Sequence, residues 1–124
     1  MKLRRRPDNT VPQRKISETF LDFASPIMDN LPDDASAAYV EGVLKTPHVV
    51  WNAIVLSEVT GDRHFLDHIQ AAMTQLPEGA ALVNLLIQRK RTMFGQDHRL
   101  IGRYTIVEKR GELVLRAEAR AAPS

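Results

Sequence analysis

The sequence predicts an α+β fold, a mostly helical bundle of four to five helices followed by a C-terminal β-hairpin at about residues 101–119. Apolar residues recur at helical spacing between residues 17 and 94, and two runs of β-type residues follow them. With 124 residues, 44% hydrophobic and 26% charged, the chain has the size and composition of one globular domain. We therefore expect a single domain over residues 16–124, preceded by a flexible basic arm over residues 1–15.

Capping residues and prolines divide the helical region. Ser17 is placed to cap the first helix, and Pro26 interrupts that stretch, which predicts a kink or two short helices. Thr46 is a favoured N-cap residue and Pro47 suits a first helical turn, so the longest apolar helix is predicted to begin there and to end at Gly61. That helix is apolar almost all round, which is typical of a helix buried in a bundle or against a partner.

The hairpin prediction depends on the register of its two strands. An Arg-Gly turn at residues 110–111 suits the type I′ geometry of a two-residue hairpin. The resulting register pairs Lys109 with Glu112 and Arg103 with Glu118, and it places apolar residues opposite one another elsewhere. Because an isolated hairpin is only marginally stable, it must pack on the helices or pair with another chain.

Basic residues concentrate at the two ends of the chain, although the net charge is only +2. Residues 1–15 hold six basic residues against one acidic residue, and residues 89–124 hold nine against four. The middle, residues 16–88, holds two basic residues against ten acidic ones. We predict at most weak, salt-sensitive association with nucleic acid, because nothing in the arm is suited to reading bases. The candidate phosphate contacts are Arg4, Arg5 and Arg6.

Several classes of protein are excluded or disfavoured by what the sequence lacks. There is no cysteine, which excludes disulfides, a thiol nucleophile and an iron–sulfur site. The sequence has no apolar run of membrane-spanning length and no secretory signal, so we expect a cytoplasmic protein without a membrane partner. It also has no nucleophile elbow and no phosphate-binding glycine loop. We therefore favour a protein without enzymatic activity, and we assign it no catalytic residue and no cofactor.

One pair of histidines supports an alternative in which the protein depends on a metal or small ligand. His64 and His68 stand four residues apart on a predicted helix, so their rings project from one face, and Asp67 lies beside them. Two imidazoles and a carboxylate can contribute to a zinc or nickel site. The competing interpretation is that all three lie on the solvated face of an amphipathic helix.

The apolar helix supplies the main functional hypothesis, a non-enzymatic protein that binds itself or another protein. Buried tryptophans dominate many interfaces, and core packing is the competing interpretation. We predict a homodimer or a higher oligomer whose contacts involve this helix or the edge of the hairpin. The candidate interface residues are Trp51, Val50, Ile54 and Val55.

Two segments, FLDFA at residues 20–24 and VWNAIV at residues 50–55, resemble small helical bacterial proteins with no assigned function. The resemblance covers about residues 17–76. It implies no activity, so it transfers no functional residue to this chain.

Overall fold

The computed structural model describes residues 15–73 and 77–122 and confirms the α+β fold. Over these residues, five helices of seven residues or more and one four-residue helix precede a two-stranded antiparallel sheet. Apart from Lys15, the predicted arm lies outside the described residues. The elements are α1 (Ile16–Phe23), α2 (Ser25–Met28), α3 (Ala37–Val43), α4 (Lys45–Thr60), α5 (His64–Met73), α6 (Pro77–Met93), β1 (Leu100–Lys109) and β2 (Glu112–Arg120).

The interruption predicted at Pro26 is confirmed. α1 ends at Phe23, and α2 begins at Ser25 with the proline in its first turn, where a missing backbone N–H costs little. The predicted cap at Ser17 is wrong, because α1 already begins at Ile16 with Lys15 at its N-cap. The Ser17 side chain is therefore not used for capping, and it contacts the hairpin.

The start predicted for the long helix at Thr46-Pro47 is wrong by a small margin. α4 begins at Lys45, directly after Leu44, which also ends α3. Leu44 is fully buried, and its carbonyl accepts a bond from the His48 N–H at 3.0 Å, so the chain turns around a buried leucine instead of a polar cap. The C-terminal prediction is confirmed, because Gly61 has a φ of 76°, in the left-handed region that favours glycine.

α4 lies at the centre of the fold and contacts α3, α5, α6 and β1. Its Trp51 ring meets the edges of two phenylalanine rings, with centroid distances of 5.1 Å to Phe23 and 5.7 Å to Phe94. Offset and edge-to-face arrangements of this kind are the favourable ones for aromatic rings. The largest fully buried side chains besides these include Phe20, Leu44, Ile54, Leu66 and Leu86.

The hairpin has the predicted turn and, over most of its length, the predicted register. Arg110 and Gly111 both have positive φ, 53° and 78°, as a type I′ turn requires. Lys109 lies opposite Glu112, as predicted. The predicted pair of Arg103 with Glu118 falls within a bulge between Ile101 and Tyr104, where residues 102 and 103 both lie opposite residue 118, and the register beyond it is shifted by one residue.

Candidate functional site

The register of the hairpin determines which backbone N–H and C=O groups point outward from its two edges. In a two-residue hairpin, the pair that flanks the turn exchanges hydrogen bonds, and the following pairs alternate. In every second pair, the backbone N–H and C=O groups therefore point away from the partner strand. These pairs are 108 with 113, 106 with 115, and 104 with 117. Two observed bonds confirm this parity, since the N–H groups of Ile106 and Ala117 both donate to side chains outside the sheet.

Side chains from α4 and α3 hold the outer edge of β1 at two points. The Asn52 amide accepts from the N–H of Ile101 and donates to its carbonyl, both at 2.8 Å, as a neighbouring strand would. The His48 ring contacts the same carbonyl at 2.8 Å. Further along, Glu41 Oε1 accepts from the N–H of Ile106 at 2.8 Å. This edge is thus engaged near its start and at its middle.

A third group of contacts fixes the chain where it enters β1. The Trp51 indole N–H donates to the Arg99 carbonyl at 2.8 Å, and the Arg99 guanidinium bonds the Asp97 carboxylate at 2.6 Å. Burial raises the pKa of Asp97, but the hydrogen bonds from Arg99 outweigh it, so the pKa lies below its ordinary value. Burial lowers the pKa of Lys90, although Glu58 and Asp97 oppose this effect.

The Lys90 ammonium is fully buried, yet its hydrogen bonds are satisfied. It donates to the carbonyls of Phe94 and Asp97, at 2.8 and 2.9 Å, and lies 4.6 Å from the centre of the Trp51 ring. Carbonyls at a helix C-terminus favour a cation. This lysine therefore closes the end of α6 and connects it to the loop before β1, which is a structural role.

The outer edge of β2 is held at one point by the residues that the structure describes. Ser17 Oγ accepts from the Ala117 N–H at 2.8 Å and donates to the Ala117 carbonyl at 3.3 Å. From there toward the turn, the outward groups belong to Leu115 and Leu113. Within residues 15–73 and 77–122, no other residue hydrogen-bonds the backbone of those two leucines from outside the hairpin.

A groove of about 630 Å³ lies beside this part of β2, and we call it the β2 groove. Lys15 and the first two turns of α1 form one wall, and the end of β1, the turn and the first half of β2 form the other. Its volume is within the range of roughly 300–1,000 Å³ that is typical of ligand sites. The apolar side chains that line it are Leu21, Val114 and Leu115.

The rim of the β2 groove carries a surplus of positive charge. Glu18 and Glu112 also line the groove, and Glu18 is buried, at 8% exposure. Lys15, the last residue of the basic arm, thus lies close to the basic side chains of the hairpin, because Ser17 of α1 bonds β2. The four basic side chains at the groove are Lys15, Lys109, Arg110 and Arg116.

The four candidate interface residues lie in the core of the single chain. Each has 0% exposed surface, so contact with a partner through them would require the fold to open. The helix that carries them is buried by α3, α5, α6 and β1. The residues concerned are Trp51, Val50, Ile54 and Val55.

The candidate metal ligands lie on the exposed face of α5. His64, Asp67 and His68 are all exposed, and the Asp67 carboxylate lies 3.6 Å from the Arg63 guanidinium. In the described parts of the chain, no group of three histidine or carboxylate side chains is arranged to hold a metal ion. The zinc or nickel alternative remains a prediction. Arg4, Arg5 and Arg6 lie outside the described residues.

The sequence analysis did not identify the β2 groove. Its walls are about 100 residues apart in the chain, so no local spacing links them. One signal was present, since basic residues concentrate at both ends of the chain around an acidic middle. That pattern is consistent with the two ends meeting on one surface, but it does not specify the serine that joins them.

No family model, curated protein or solved structure matches this chain. The resemblance to small helical bacterial proteins therefore stays a prediction. Among the described helices, none combines the length and apolar character needed to cross a membrane.

Proposed function

We propose that this chain is a non-enzymatic interaction protein that binds an extended segment of a partner protein along β2. The observation that supports this most strongly is the run of outward backbone groups at Leu113 and Leu115 beside the β2 groove. An extended peptide can add a strand to an exposed sheet edge, where backbone hydrogen bonds provide affinity and side-chain pockets provide specificity. Over the part of the chain that the structure describes, the β2 groove offers both an edge that no helix bonds at Leu113 and Leu115 and an apolar wall.

The proposal locates the interaction at the hairpin edge and not at the Trp51 helix. That helix is used for the protein's own core, so its candidate interface residues, Trp51 among them, are already buried. Natural proteins protect exposed strand edges with charges, bulges or covering elements. β1 has a bulge and helix side chains along its edge, whereas β2 has, among the described residues, one serine near its end.

Hydrogen exchange of selected peptides in complex with the full chain tests the proposal. Peptides of nine residues are selected from a random displayed library, and amide exchange is then measured by NMR with and without each peptide. We expect the Leu113 and Leu115 amides to exchange rapidly in the free protein and slowly in the complex. The Val114 and Arg116 amides bond β1 in both states, so they serve as internal controls.

The Ile106 amide is the matched control on the other edge, because Glu41 already occupies it. It should show no added protection when a peptide binds. Selected peptides that bind without protecting Leu113 and Leu115 would contradict the proposal. A complex between two copies of the chain, with the same two amides protected, would identify the partner as a second copy.

A second candidate function is salt-sensitive association with nucleic acid through the basic arm. The observation that favours it is that Lys15, where the arm ends, lies beside the basic side chains of the hairpin. Neutralising several phosphates makes binding steeply dependent on salt. Removal of residues 1–14 should therefore weaken binding to a labelled oligonucleotide and flatten its salt dependence. Binding that is unchanged by this deletion would contradict a role for Arg4, Arg5 and Arg6.

A further inference from the structure

The charges around the β2 groove indicate which extended segment fits there. Four basic side chains outnumber two acidic ones in its lining: Lys15, Lys109, Arg110 and Arg116 against Glu18 and Glu112. A strand lying between the walls would have cationic groups on more than one side. Complementary charge at an interface steers association and disfavours wrong partners.

We propose that the partner segment is acidic, with carboxylates alternating with apolar residues. This inference rests on the proposed function, since it assigns the chemistry of the strand that docks on β2. Side chains of an added strand alternate between the two faces of the sheet. One set would lie on the face of Val114 and Arg116, and the other would lie on the side of Leu21 and Leu115.

The two faces of the sheet favour different side chains on the added strand. Leu113 and Leu115 point into the core and are 1% and 6% exposed, so neighbouring positions on an added strand suit apolar side chains. Arg116 is exposed on the opposite face, and Lys109 is exposed at the turn. A carboxylate on that face can pair with Arg116, whereas Lys109 already lies opposite Glu112. The expected segment therefore has an acidic residue at every second position.

Two other occupants are disfavoured by charge. The chain's own residues 1–15 hold six basic residues against one acidic residue, so they match the sign of the rim. A second copy that pairs its own β2 edge would bring two basic rims together, because a two-fold interface places the same patch on both sides.

Synthetic peptides bound to the full chain test this inference. The probes are three seven-residue peptides in which valine alternates with glutamate, threonine or lysine. We expect the glutamate peptide to bind about tenfold more tightly than the threonine peptide, and the lysine peptide to bind least. Binding of the glutamate peptide should also weaken by threefold or more when salt is raised from about 50 to 500 mM.

Charge reversal on the rim provides the specific readout. Arg116→Glu should weaken binding of the glutamate peptide about tenfold and strengthen binding of the lysine peptide. Arg103→Glu is the matched control, because Arg103 is an exposed basic residue of the same hairpin that does not line the β2 groove. It changes the net charge equally and should leave both affinities within twofold.

The outcomes separate this inference from the proposed function. If all three peptides protect the Leu113 and Leu115 amides with equal affinity, the acidic assignment is wrong and the proposed function stands. If none protects them but the library-selected peptides do, the acidic assignment is wrong and the proposed function stands; if the selected peptides also fail to protect them, both are wrong. Tenfold tighter binding by a chain without residues 1–14 would make its own arm the occupant and overturn the assignment. Displacement of the glutamate peptide by an equal concentration of a seven-nucleotide single strand would overturn it in favour of nucleic acid.

Discussion

The two outer edges of the hairpin differ in how the helices engage them. On β1, side chains of α4 and α3 bond the backbone in place of a neighbouring strand. Asn52 bonds Ile101, and Glu41 bonds Ile106. On β2, Ser17 bonds the backbone at Ala117 alone among the described residues. Each edge belongs to one strand of the same hairpin, and the difference lies in the helix side chains that reach it. Helix placement decides which edge is closed and which is available.

Trp51 should have the largest effect on this arrangement. It fills the core and bonds the Arg99 carbonyl at the entrance to β1, so Trp51→Ala removes packing and a hydrogen bond together. We expect the free energy of unfolding to fall by about 3–5 kcal/mol, measured by urea denaturation. Tyr39→Ala, at an aromatic residue that is 52% exposed, should cost far less. A stable, folded variant that has lost only self-association would instead favour an interface role for Trp51.

Asn52 tests whether the closed edge stabilises the fold. Asn52→Ala leaves the Ile101 N–H without its acceptor, while His48 still contacts the carbonyl. Unsatisfied buried polar groups cost roughly 1–3 kcal/mol each, so we expect a loss of about 2 kcal/mol in urea denaturation. The control is Asn30→Ala, because Asn30 makes one exposed bond, to the Pro26 carbonyl. Equal losses for the two variants would show that the bonds of Asn52 to the edge of β1 stabilise the fold no more than one exposed bond does.

Asp97 gives the entrance to β1 a dependence on pH. Its pKa is lower in the folded chain than its ordinary value of about 3.9, so it stabilises the fold above that pH. This contribution is lost as pH falls through the folded pKa. Wild type should exceed Asp97→Asn by about 1–2 kcal/mol in free energy of unfolding at pH 7, and the difference should shrink below pH ~4. A difference that is constant from pH 7 to pH 2.5 would contradict this account.

Ser17 is the matching test on the open edge. Ser17→Ala removes both bonds to Ala117, and we expect a loss of about 1 kcal/mol, smaller than that of Asn52→Ala. The Ala117 amide should then exchange as rapidly as those of Leu113 and Leu115, which lengthens the open edge by one pair. Unchanged exchange at Ala117 would mean that Ser17 does not close the β2 groove.

Local signals were sufficient to predict much of the fold. Pro26, Gly61 and the Arg-Gly turn each act through their own backbone geometry, and all three predictions are confirmed. The register of the hairpin followed from pairing charges and apolar residues across the turn. It failed only beyond the bulge, because a bulge depends on local backbone geometry that side-chain pairing does not report.

Long-range partners were beyond the reach of the sequence patterns. Serine is a favoured N-cap residue, which is why Ser17 was predicted to cap a helix, but its partner Ala117 lies 100 residues away in the chain. The all-round apolar helix correctly indicated burial, yet periodicity does not tell whether the covering surface belongs to the same chain or to a partner. The β2 groove combines both difficulties, because its walls come from opposite ends of the chain.

The histidine pair of α5 should have the smallest effect, because it lies on an exposed face remote in sequence from both hairpin edges. Replacement of His64 and His68 by alanine should change the free energy of unfolding by less than about 0.5 kcal/mol, since surface substitutions rarely exceed this value. The same measurement with an equimolar amount of zinc tests the metal alternative. Binding to the folded state alone would raise the melting temperature of wild type but not of the double variant. Equal melting temperatures with and without zinc would leave both side chains as part of the solvated face of α5, and the β2 groove would then remain the candidate site of the molecule.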